Sequence, residues 1–210
     1  MILDLTQTLG NGITCYPGTL EPNFEILSSV EEDGSAVLKM CMNSHTGTHM
    51  DAPAHFVANS KTLDQIPIYD MIGNGYVVNC KNEQEISIDL LKHYKSHIAD
   101  AQYILFYTGW DQKWNTPSYL DPFPVLTDEA RDWLLQYPIK GIGYDTISAD
   151  PIDSVEFPNH YAILGNGILV IENLCHLDKL LDKSFEFYTI PLKIKNSDGS
   201  PVRAFAKLKD

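Results

Sequence analysis

Between His45 and His55 the chain concentrates three of its seven histidines and one aspartate. The stretch reads His45-Thr-Gly-Thr-His49-Met-Asp51-Ala-Pro53-Ala-His55. Imidazole nitrogens together with carboxylate oxygens form a donor set that suits Zn²⁺ and Mn²⁺. Two histidines this close are commonly a coincidence, but three histidines and an aspartate separated by glycine and proline rarely are. The composition of this stretch therefore indicates a divalent metal site.

The backbone of this stretch is predicted to be extended rather than helical. The spacing of His45 and His49 would suit one face of a helix, but the intervening glycine and threonines disfavour a helix and Pro53 would break it. In an extended strand His49 and Asp51 point to the same side. Because Pro53 can open a helical turn, that turn would carry His55 towards the same pocket. The sequence thus predicts a strand, a bend and the start of a short helix.

Two residues much further along the chain, His160 and Glu172, are candidates for the same site. They stand on either side of the turn Leu164-Gly-Asn-Gly167. His160 taken alone is typical of a structural or surface histidine. Glu172 ends the apolar run Ile168-Leu-Val-Ile, where an unpaired buried carboxylate would be very costly. Two divalent cations would supply its partner, so we expect both residues near the histidine-rich stretch.

The stretch resembles the signature of the metal-dependent cyclase family, which includes bacterial kynurenine formamidases and isatin hydrolases. The signature is His-x-Gly-Thr-His-x-Asp-x-Pro-x-His. All of its specified positions are matched, by His45, Gly47, Thr48, His49, Asp51, Pro53 and His55. Shorter landmarks occur in the family's order at Asp4-Leu5-Thr6, Tyr16-Pro17-Gly18, Thr108-Gly109-Trp110 and Gly143-Tyr-Asp145-Thr-Ile-Ser148-Ala-Asp150.

The resemblance implies a role for each candidate residue. His45, His49 and Asp51 resemble the ligands of a first divalent ion. Asp51, His160 and Glu172 resemble those of a second, and Zn²⁺ is expected at both sites before Mn²⁺. Carboxylates have two oxygens, which makes Asp51 and Glu172 the natural bridging groups.

The resemblance also implies a reaction, the hydrolysis of a carbon–nitrogen bond in a small amide. The substrate would be an arylformamide such as N-formylkynurenine or a cyclic amide such as isatin, attacked by metal-activated hydroxide. His55 resembles the catalytic acid and base that shuttles the proton. Tyr16 stands where the formamidases carry a substrate-stacking tryptophan, and this departure puts the kynurenine-type substrate in question.

Two other classes of function remain open. One is a metal-binding protein without catalysis, although such a protein has no need of His55. The other is a lactone hydrolase or dehydratase that uses the same site. A serine hydrolase is disfavoured because the sequence has no Gly-x-Ser-x-Gly motif.

Several other residues have plain structural interpretations. Asp145 and Ser148 could shape the pocket from a strand end or serve as turn residues behind it. Trp110 and Trp114 suit packing or an interface better than contact with a substrate. Surface positions on helices or loops are expected for His93, His97 and His176.

Composition and charge narrow the class of protein. A chain of 210 residues with a net charge of −13 predicts one domain, residues 1–210, of a soluble enzyme. There is no basic patch to bind nucleic acid, and no apolar run reaches the ~20 residues of a membrane span. The start lacks the features of a signal peptide, so a cytoplasmic location with four free thiols is predicted. The resemblance implies a homodimer or homotetramer, with the loop 111–123 a candidate for the interface.

The periodicity of the chain predicts a mixed α/β fold, a mixed β-sheet with helices packed on it. Strands are predicted at residues 1–9, 24–30, 36–43, 75–80, 103–107, 141–145, 168–172, 185–195 and 201–208. Helices are predicted over 88–97, after Thr127 and over 177–183. The resemblance implies the swivelling β/β/α type of fold that the cyclase family adopts.

Overall fold

The computed structural model describes residues 1–209. Its strands are β1 (Ile2–Asp4), β2 (Asn23–Ser28), β3 (Val37–Cys41), β4 (His49–Asp51), β5 (Ile72–Asn79), β6 (Tyr103–Tyr107), β7 (Gly141–Tyr144), β8 (Leu169–Glu172), β9 (Phe185–Pro191) and β10 (Gly199–Leu208). Its α-helices are α1 (Val30–Asp33), α2 (Ile88–His93), α3 (Lys95–Asp100), α4 (Asp128–Leu134) and α5 (Pro158–Gly165). Short 3₁₀ helices lie at Pro53–His55, Leu63–Gln65, Ile68–Met71, Trp110–Lys113, Pro117–Leu120 and Leu177–Leu180.

Seven strands close into a mixed barrel, in the order β10-β4-β8-β7-β6-β5-β9, because β9 pairs back onto β10. The neighbours β5, β6, β7 and β8 run parallel, and the remaining pairs are antiparallel. The long strand β10 makes closure possible because it pairs along both of its edges. Residues 202–208 pair with β9 on one edge, and residues 199–201 pair with β4 on the other. Strand β1 pairs with residues 205–207 of β10.

The strand β6 shows why its sequence is apolar at every position. Tyr103 and Leu105 point into the barrel, whereas Ile104 and Phe106 pack outward under the helices. Strands covered on both faces have continuous apolar runs. On the neighbouring strand β7, a Cβ at Gly141 would lie 2.5 Å from the ring of Tyr103, so the glycine leaves room for that ring.

Strands β2 and β3 form a separate antiparallel hairpin, with α1 in its connection. Every residue of β3 is exposed. The apolar side chains exposed on this hairpin are Ile26, Leu27, Val30, Val37, Leu38 and Met40. The hairpin therefore contributes none of the buried apolar side chains of the barrel.

The mixed sheet with packed helices was predicted, but several helices differ from the sequence prediction. The helix predicted over 88–97 is broken at Tyr94, which departs from helical geometry and packs its ring on Tyr76. The segment predicted as a helix over 177–183 is a 3₁₀ helix that ends at Leu180. Helix α5, which contains His160, was not predicted as a helix. Among residues 1–209 no helix is long and apolar enough to cross a membrane.

We expect the barrel interior to depend on Phe187, which is fully buried with its ring centroid 5.2 Å from that of Tyr103. Replacing it with alanine should lower the free energy of unfolding by about 3–5 kcal/mol, since a large cavity would form. The change can be measured by denaturant unfolding. The control Val155→Ala lies at a position that is 88% exposed, and surface substitutions stay within about 0.5 kcal/mol. Equal stability of the two variants would contradict this account of the core.

Candidate metal centre and adjoining cavity

The pairing of β4 with β8 places His49 directly opposite Glu172. The Nε2 atom of His49 lies 3.3 Å from Glu172 Oε2 and 3.2 Å from Asp51 Oδ1. All three side chains are buried. His49 and Asp51 therefore share one side of an extended strand, as their spacing predicted.

His45 approaches the same group from the loop before β4. Its Nδ1 atom lies 2.7 Å from Asp51 Oδ1. The loop turns at Gly47, whose φ of +63° belongs to the left-handed region that favours glycine. The side-chain amide of Asn173 donates a hydrogen bond to the Gly47 carbonyl and ties this turn to the end of β8.

Helix α5 delivers His160 to the opposite side of the two carboxylates. Its Nε2 atom lies 3.1 Å from Glu172 Oε1 and 3.8 Å from Asp51 Oδ2. The carboxylate of Asp150 accepts hydrogen bonds from the backbone N–H groups of Asn159 and His160 at the start of this helix. The fold thus brings His160 and Glu172 beside the histidine-rich stretch, as the sequence predicted.

Each of the three imidazoles that face the carboxylates has a hydrogen-bond partner on its other nitrogen. That partner is Asp198 for His45, at 2.9 Å, and the Gly47 carbonyl for His49, at 2.8 Å. For His160 it is Asp150, at 2.6 Å. Such outer partners fix the ring orientation and the tautomer of metal-binding histidines. Each ring therefore presents one nitrogen to the carboxylate pair.

His55 occupies the end of the 3₁₀ helix Pro53–His55, the short helical start that the sequence predicted. Its ring stacks on that of His45, with the centroids 3.9 Å apart. Its Nδ1 atom lies 3.3 Å from Asp198 Oδ2. Ligand atoms of His55, His45 and Asp51 lie within 4.8 Å of one another, so the geometry also permits His55 to reach an ion.

Burial alone would lower the pKa of the histidines, but the nearby carboxylates reverse that effect. The charge of Asp51 and the hydrogen bonds to Asp198 and Asp51 raise the pKa of His45 to about 9. For His160, burial is likewise outweighed by hydrogen bonds to its two carboxylate partners, which raise its pKa to about 10. Without metal, these imidazoles hold protons that compensate the buried negative charge.

The two central carboxylates are held in the ionised form. Burial favours the neutral acid, but His49 and His45 keep the pKa of Asp51 well below its usual value. Burial and the charge of Asp51 raise the pKa of Glu172, but hydrogen bonds to His160 and His49 lower it by more. A buried pair of carboxylates of this kind requires positive charge between them.

The donor set fits divalent metal ions. The Oδ2 atom of Asp51 is buried and has no hydrogen-bond partner in the described residues, which is unusual for a carboxylate oxygen. Ligand atoms of His49, Asp51 and Glu172 lie within 4.8 Å of one another, and Asp51 is also grouped with His45 and His55. A cation within reach of Asp51 Oδ2 would satisfy this oxygen and replace the protons on the imidazoles.

A cavity of about 480 Å³ adjoins this cluster. Its walls include Tyr16, Phe56, Ile147 and Phe157 beside the histidines and Glu172. The hydroxyl of Tyr16 donates a hydrogen bond to the Ile152 carbonyl, which holds the phenol ring against this wall. Tyr16 is therefore a fixed part of the cavity wall, on the same cavity as the histidines.

Phe157 has φ +46° and ψ +52°, a conformation that is uncommon for a bulky side chain. Its ring packs on Phe56, which in turn stacks on His160 with the ring centroids 4.8 Å apart. Backbone strain of this kind concentrates at functional sites. Neither phenylalanine was identified as a candidate from the sequence.

The remaining candidates from the sequence lie outside the cluster. Asp145 is buried behind it and accepts hydrogen bonds from Thr108 and Gly109, so it joins the ends of β6 and β7. Burial raises the pKa of Asp145 to about 7. Ser148 lines the cavity, and its hydroxyl accepts a hydrogen bond from the Asp150 backbone.

Trp110 and Trp114 pack around the buried Tyr119 and Phe123. Exposed positions are occupied by His93, His97 and His176.

Sequence reasoning missed the polar residues that support the histidines. Asp150 ends the segment Gly143–Asp150, which resembles a family landmark, but its position in the sequence does not link it to His160. Asn173 follows Glu172 in the left-handed region, with φ +57°, where asparagine is enriched. Asp198 lies in the turn before β10, and no signal in the sequence linked it to the histidines. Long-range pairing alone brings these side chains to the site.

Known proteins resemble this chain over nearly its full length. A kynurenine formamidase of Bacillus thuringiensis subsp. konkukian (strain 97-27) is 34% identical over 206 residues, which span 98% of this chain and 96% of the relative. The kynurenine formamidase of Bacillus anthracis is 34% identical over 203 residues, which span 96% and 95%. An isatin hydrolase solved with the product analogue thioisatinate superposes with a TM-score of 0.88 at 26% identity and covers 99% of this chain and 92% of its own.

A second solved structure agrees with the first. Isatin hydrolase A from Labrenzia aggregata has a TM-score of 0.87 at 27% identity and covers 98% of this chain and 93% of its own. These likenesses confirm the predicted mixed α/β cyclase fold. The model of the family named Cyclase matches residues 3–151. The chain thus belongs to the Cyclase family, as a metal-dependent hydrolase related to the kynurenine formamidases and isatin hydrolases.

Proposed function

We propose that the protein hydrolyses a carbon–nitrogen bond in a small aromatic amide, either an arylformamide or a cyclic amide of the isatin type. The observation that carries this proposal is the buried cluster of Asp51, Glu172 and imidazoles beside a largely apolar cavity. The cluster suits the activation of water, and the cavity suits a flat apolar substrate. The names of the similar proteins supply the two substrate classes.

The proposed cofactors are two divalent ions, with Zn²⁺ favoured and Mn²⁺ the alternative. His45, His49 and Asp51 would hold the first ion, and Asp51, His160 and Glu172 the second. Bound ions of this kind polarise a carbonyl oxygen and lower the pKa of water towards neutrality. The orphaned Oδ2 atom of Asp51 supports a bridging role for this carboxylate.

The residues of the chain divide the remaining work. Tyr16 and Phe157 form walls that orient the aromatic part of the substrate, so that its carbonyl group points towards the carboxylate cluster. His55 accepts a proton from the attacking water and returns a proton to the leaving nitrogen. The position of His55 beside the cluster, with 28% of its side chain exposed, supports this exchange.

A substrate panel tests the proposed reaction. The purified protein, loaded with Zn²⁺ or with Mn²⁺, is assayed with N-formylkynurenine, N-formylaniline, isatin and an aryl lactone. Hydrolysis of a formamide or of isatin, abolished by chelation and restored by metal, is the expected result. Turnover of the lactone alone would favour the lactonase alternative. Metal binding with no turnover of any compound would favour a protein that binds metal without catalysis.

We also propose that the protein assembles as a homodimer or homotetramer. The hairpin β2–β3 supports this assembly, since it exposes apolar side chains on both strands. Two-stranded hairpins are marginally stable alone in water, and large exposed apolar patches mark interaction surfaces. The loop 111–123 is a weaker candidate for the interface because Tyr119 and Phe123 are buried within the chain itself.

Asp51 is expected to be essential for metal binding. The change Asp51→Asn removes a charge from both proposed ion sites. Zn²⁺ affinity should therefore fall by at least about 100-fold, which is more than the usual loss when a metal ligand loses its outer hydrogen-bond partner. Inductively coupled plasma mass spectrometry and competition with a chromophoric chelator measure this loss, and circular dichroism checks the fold. Asp89→Asn is the matched control because the side chain of Asp89 is 86% exposed. Metal retention by the Asp51 variant would refute the bridging role.

His55 is expected to act in turnover rather than in metal retention. His55→Ala should lower kcat by about 10²- to 10⁴-fold, the usual range for an acid–base catalyst, while the metal content stays at the wild-type level. Steady-state kinetics on the substrate found in the panel measures the effect. His93→Ala is the control, since this exposed histidine lies on α2 away from the cavity. Full activity of the His55 variant, or a loss of metal equal to that of Asp51→Asn, would show that its assigned role is wrong.

A further inference from the structure

The turn between β9 and β10 places one carboxylate, Asp198, against two histidines of the cluster. Its Oδ2 atom lies 2.9 Å from His45 Nε2 and 3.3 Å from His55 Nδ1. Its Oδ1 atom accepts a hydrogen bond from the hydroxyl of Ser44 at 3.0 Å. One carboxylate therefore contacts a proposed metal ligand and the proposed proton shuttle at the same time.

Strand pairing and a backbone hydrogen bond hold this turn beside the cluster. Gly199 pairs with Asp51 across β10 and β4. The backbone carbonyl of Asp198 accepts a hydrogen bond from the Ala52 N–H at 2.8 Å. A Cβ at Gly199 would lie 2.5 Å from the ring of His45, so the chain passes directly against that ring. The position of Asp198 thus follows from the closure of the barrel.

The two rings that meet Asp198 are also stacked on each other. Their centroids are 3.9 Å apart and their planes are inclined by 26°. With Nε2 of His45 directed at Asp198, its Nδ1 atom faces Asp51 at 2.7 Å. With Nδ1 of His55 at Asp198, the Nε2 atom of His55 is the nitrogen left to exchange a proton with substrate. Both orientations depend on the same carboxylate.

We propose that Asp198 is a positioning residue shared by His45 and His55, which holds the first ring for metal binding and the second for proton transfer. The His55 part of this proposal rests on the proposed function, whereas the His45 part rests on metal binding alone. Two different measurements therefore follow from one side chain. Loss of the contact to His45 weakens metal binding. Loss of the contact to His55 slows turnover even when the metal is saturating.

The test compares Asp198→Asn with Asp64→Asn in the full-length protein. Asp64 is the matched control because it accepts a hydrogen bond from the Asn196 N–H and so supports the same turn, while the other donor to its carboxylate is the Thr62 hydroxyl and not a histidine. Zn²⁺ is titrated into metal-free protein against a chromophoric chelator, and kcat and KM are then measured at saturating Zn²⁺. Thermal unfolding confirms that both variants are folded.

The Asp198 variant is expected to bind Zn²⁺ about 10- to 100-fold more weakly, the usual cost of losing an outer hydrogen-bond partner. Its kcat should fall by a similar factor with KM within about two-fold, because ground-state binding is unaffected. In a His55→Ala background, Asp198→Asn should leave kcat unaltered but still lower the affinity for Zn²⁺. The effect on kcat depends on the His55 ring, whereas the effect on Zn²⁺ binding depends on the His45 ring. The Asp64 variant should match the wild type in all three quantities.

Four results would overturn the proposal in whole or in part. Wild-type Zn²⁺ affinity in Asp198→Asn would refute the His45 part, and an unchanged kcat at saturating Zn²⁺ would refute the His55 part. Equal losses in Asp64→Asn would show that the turn's shape, and not the carboxylate, is what matters. A wild-type protein without amide hydrolase activity would refute the proposed function and the His55 part with it, and the Zn²⁺ titration would still decide the His45 part.

Discussion

Asp51 and Glu172 carry like charges into the same buried site, and the surrounding structure depends on compensating them. Each carboxylate is almost completely excluded from solvent. Isolated buried charges of this kind would cost several kcal/mol each. Four imidazoles lie around them, and the unpaired Oδ2 atom of Asp51 marks the position where their compensation is least complete. Metal ions would relieve this constraint better than protons, since one divalent ion interacts with several oxygens at once.

The closed barrel explains how so short a strand as β4 can hold this arrangement. Only three residues long, β4 is paired with β8 on one edge and β10 on the other. Both neighbours hold the strand in one register, and a slip by one residue would turn His49 and Asp51 to the opposite face. The same pairing brings Glu172 from β8 and Asp198 from the turn before β10. Core packing and site geometry are therefore consequences of one set of strand pairings.

Three hydrogen-bond acceptors around the cluster orient the histidines that face the carboxylates. Asp150, the Gly47 carbonyl and Asp198 each bind the outer nitrogen of one imidazole. Two of these acceptors are charged, and the third is held in place by the amide of Asn173. The adjoining cavity is lined by His55 and by the rings of Tyr16 and Phe157. The polar groups of the cluster and the apolar walls of the cavity thus come from different parts of the chain.

The local pattern of the sequence by itself determined the extended run at His49–Asp51, the helical start at Pro53 and the shared side of His49 and Asp51. These features depend on backbone preferences and on the two-residue period of a strand, which act over a few residues. The family resemblance beyond the signature, together with the cost of an unpaired buried Glu172, further predicted that His160 and Glu172 belong to the same site. Helix α5 was missed because its apolar residues form one short unbroken run, Tyr161–Leu164, which has no helical period and is followed at once by Gly165.

Only the tertiary structure decided which supporting groups meet these residues. Asp198 is 153 positions from His45, and the closure of β9 onto β10 brings them together. The walls Phe56 and Phe157 likewise meet through the packing of α5 on the turn at Pro53. The local sequence around Asp198 is that of any aspartate in an exposed turn. Only the long-range register of the strands places Asp198 against the histidines. Register depends on the burial of whole faces of the sheet, which no short stretch of sequence contains.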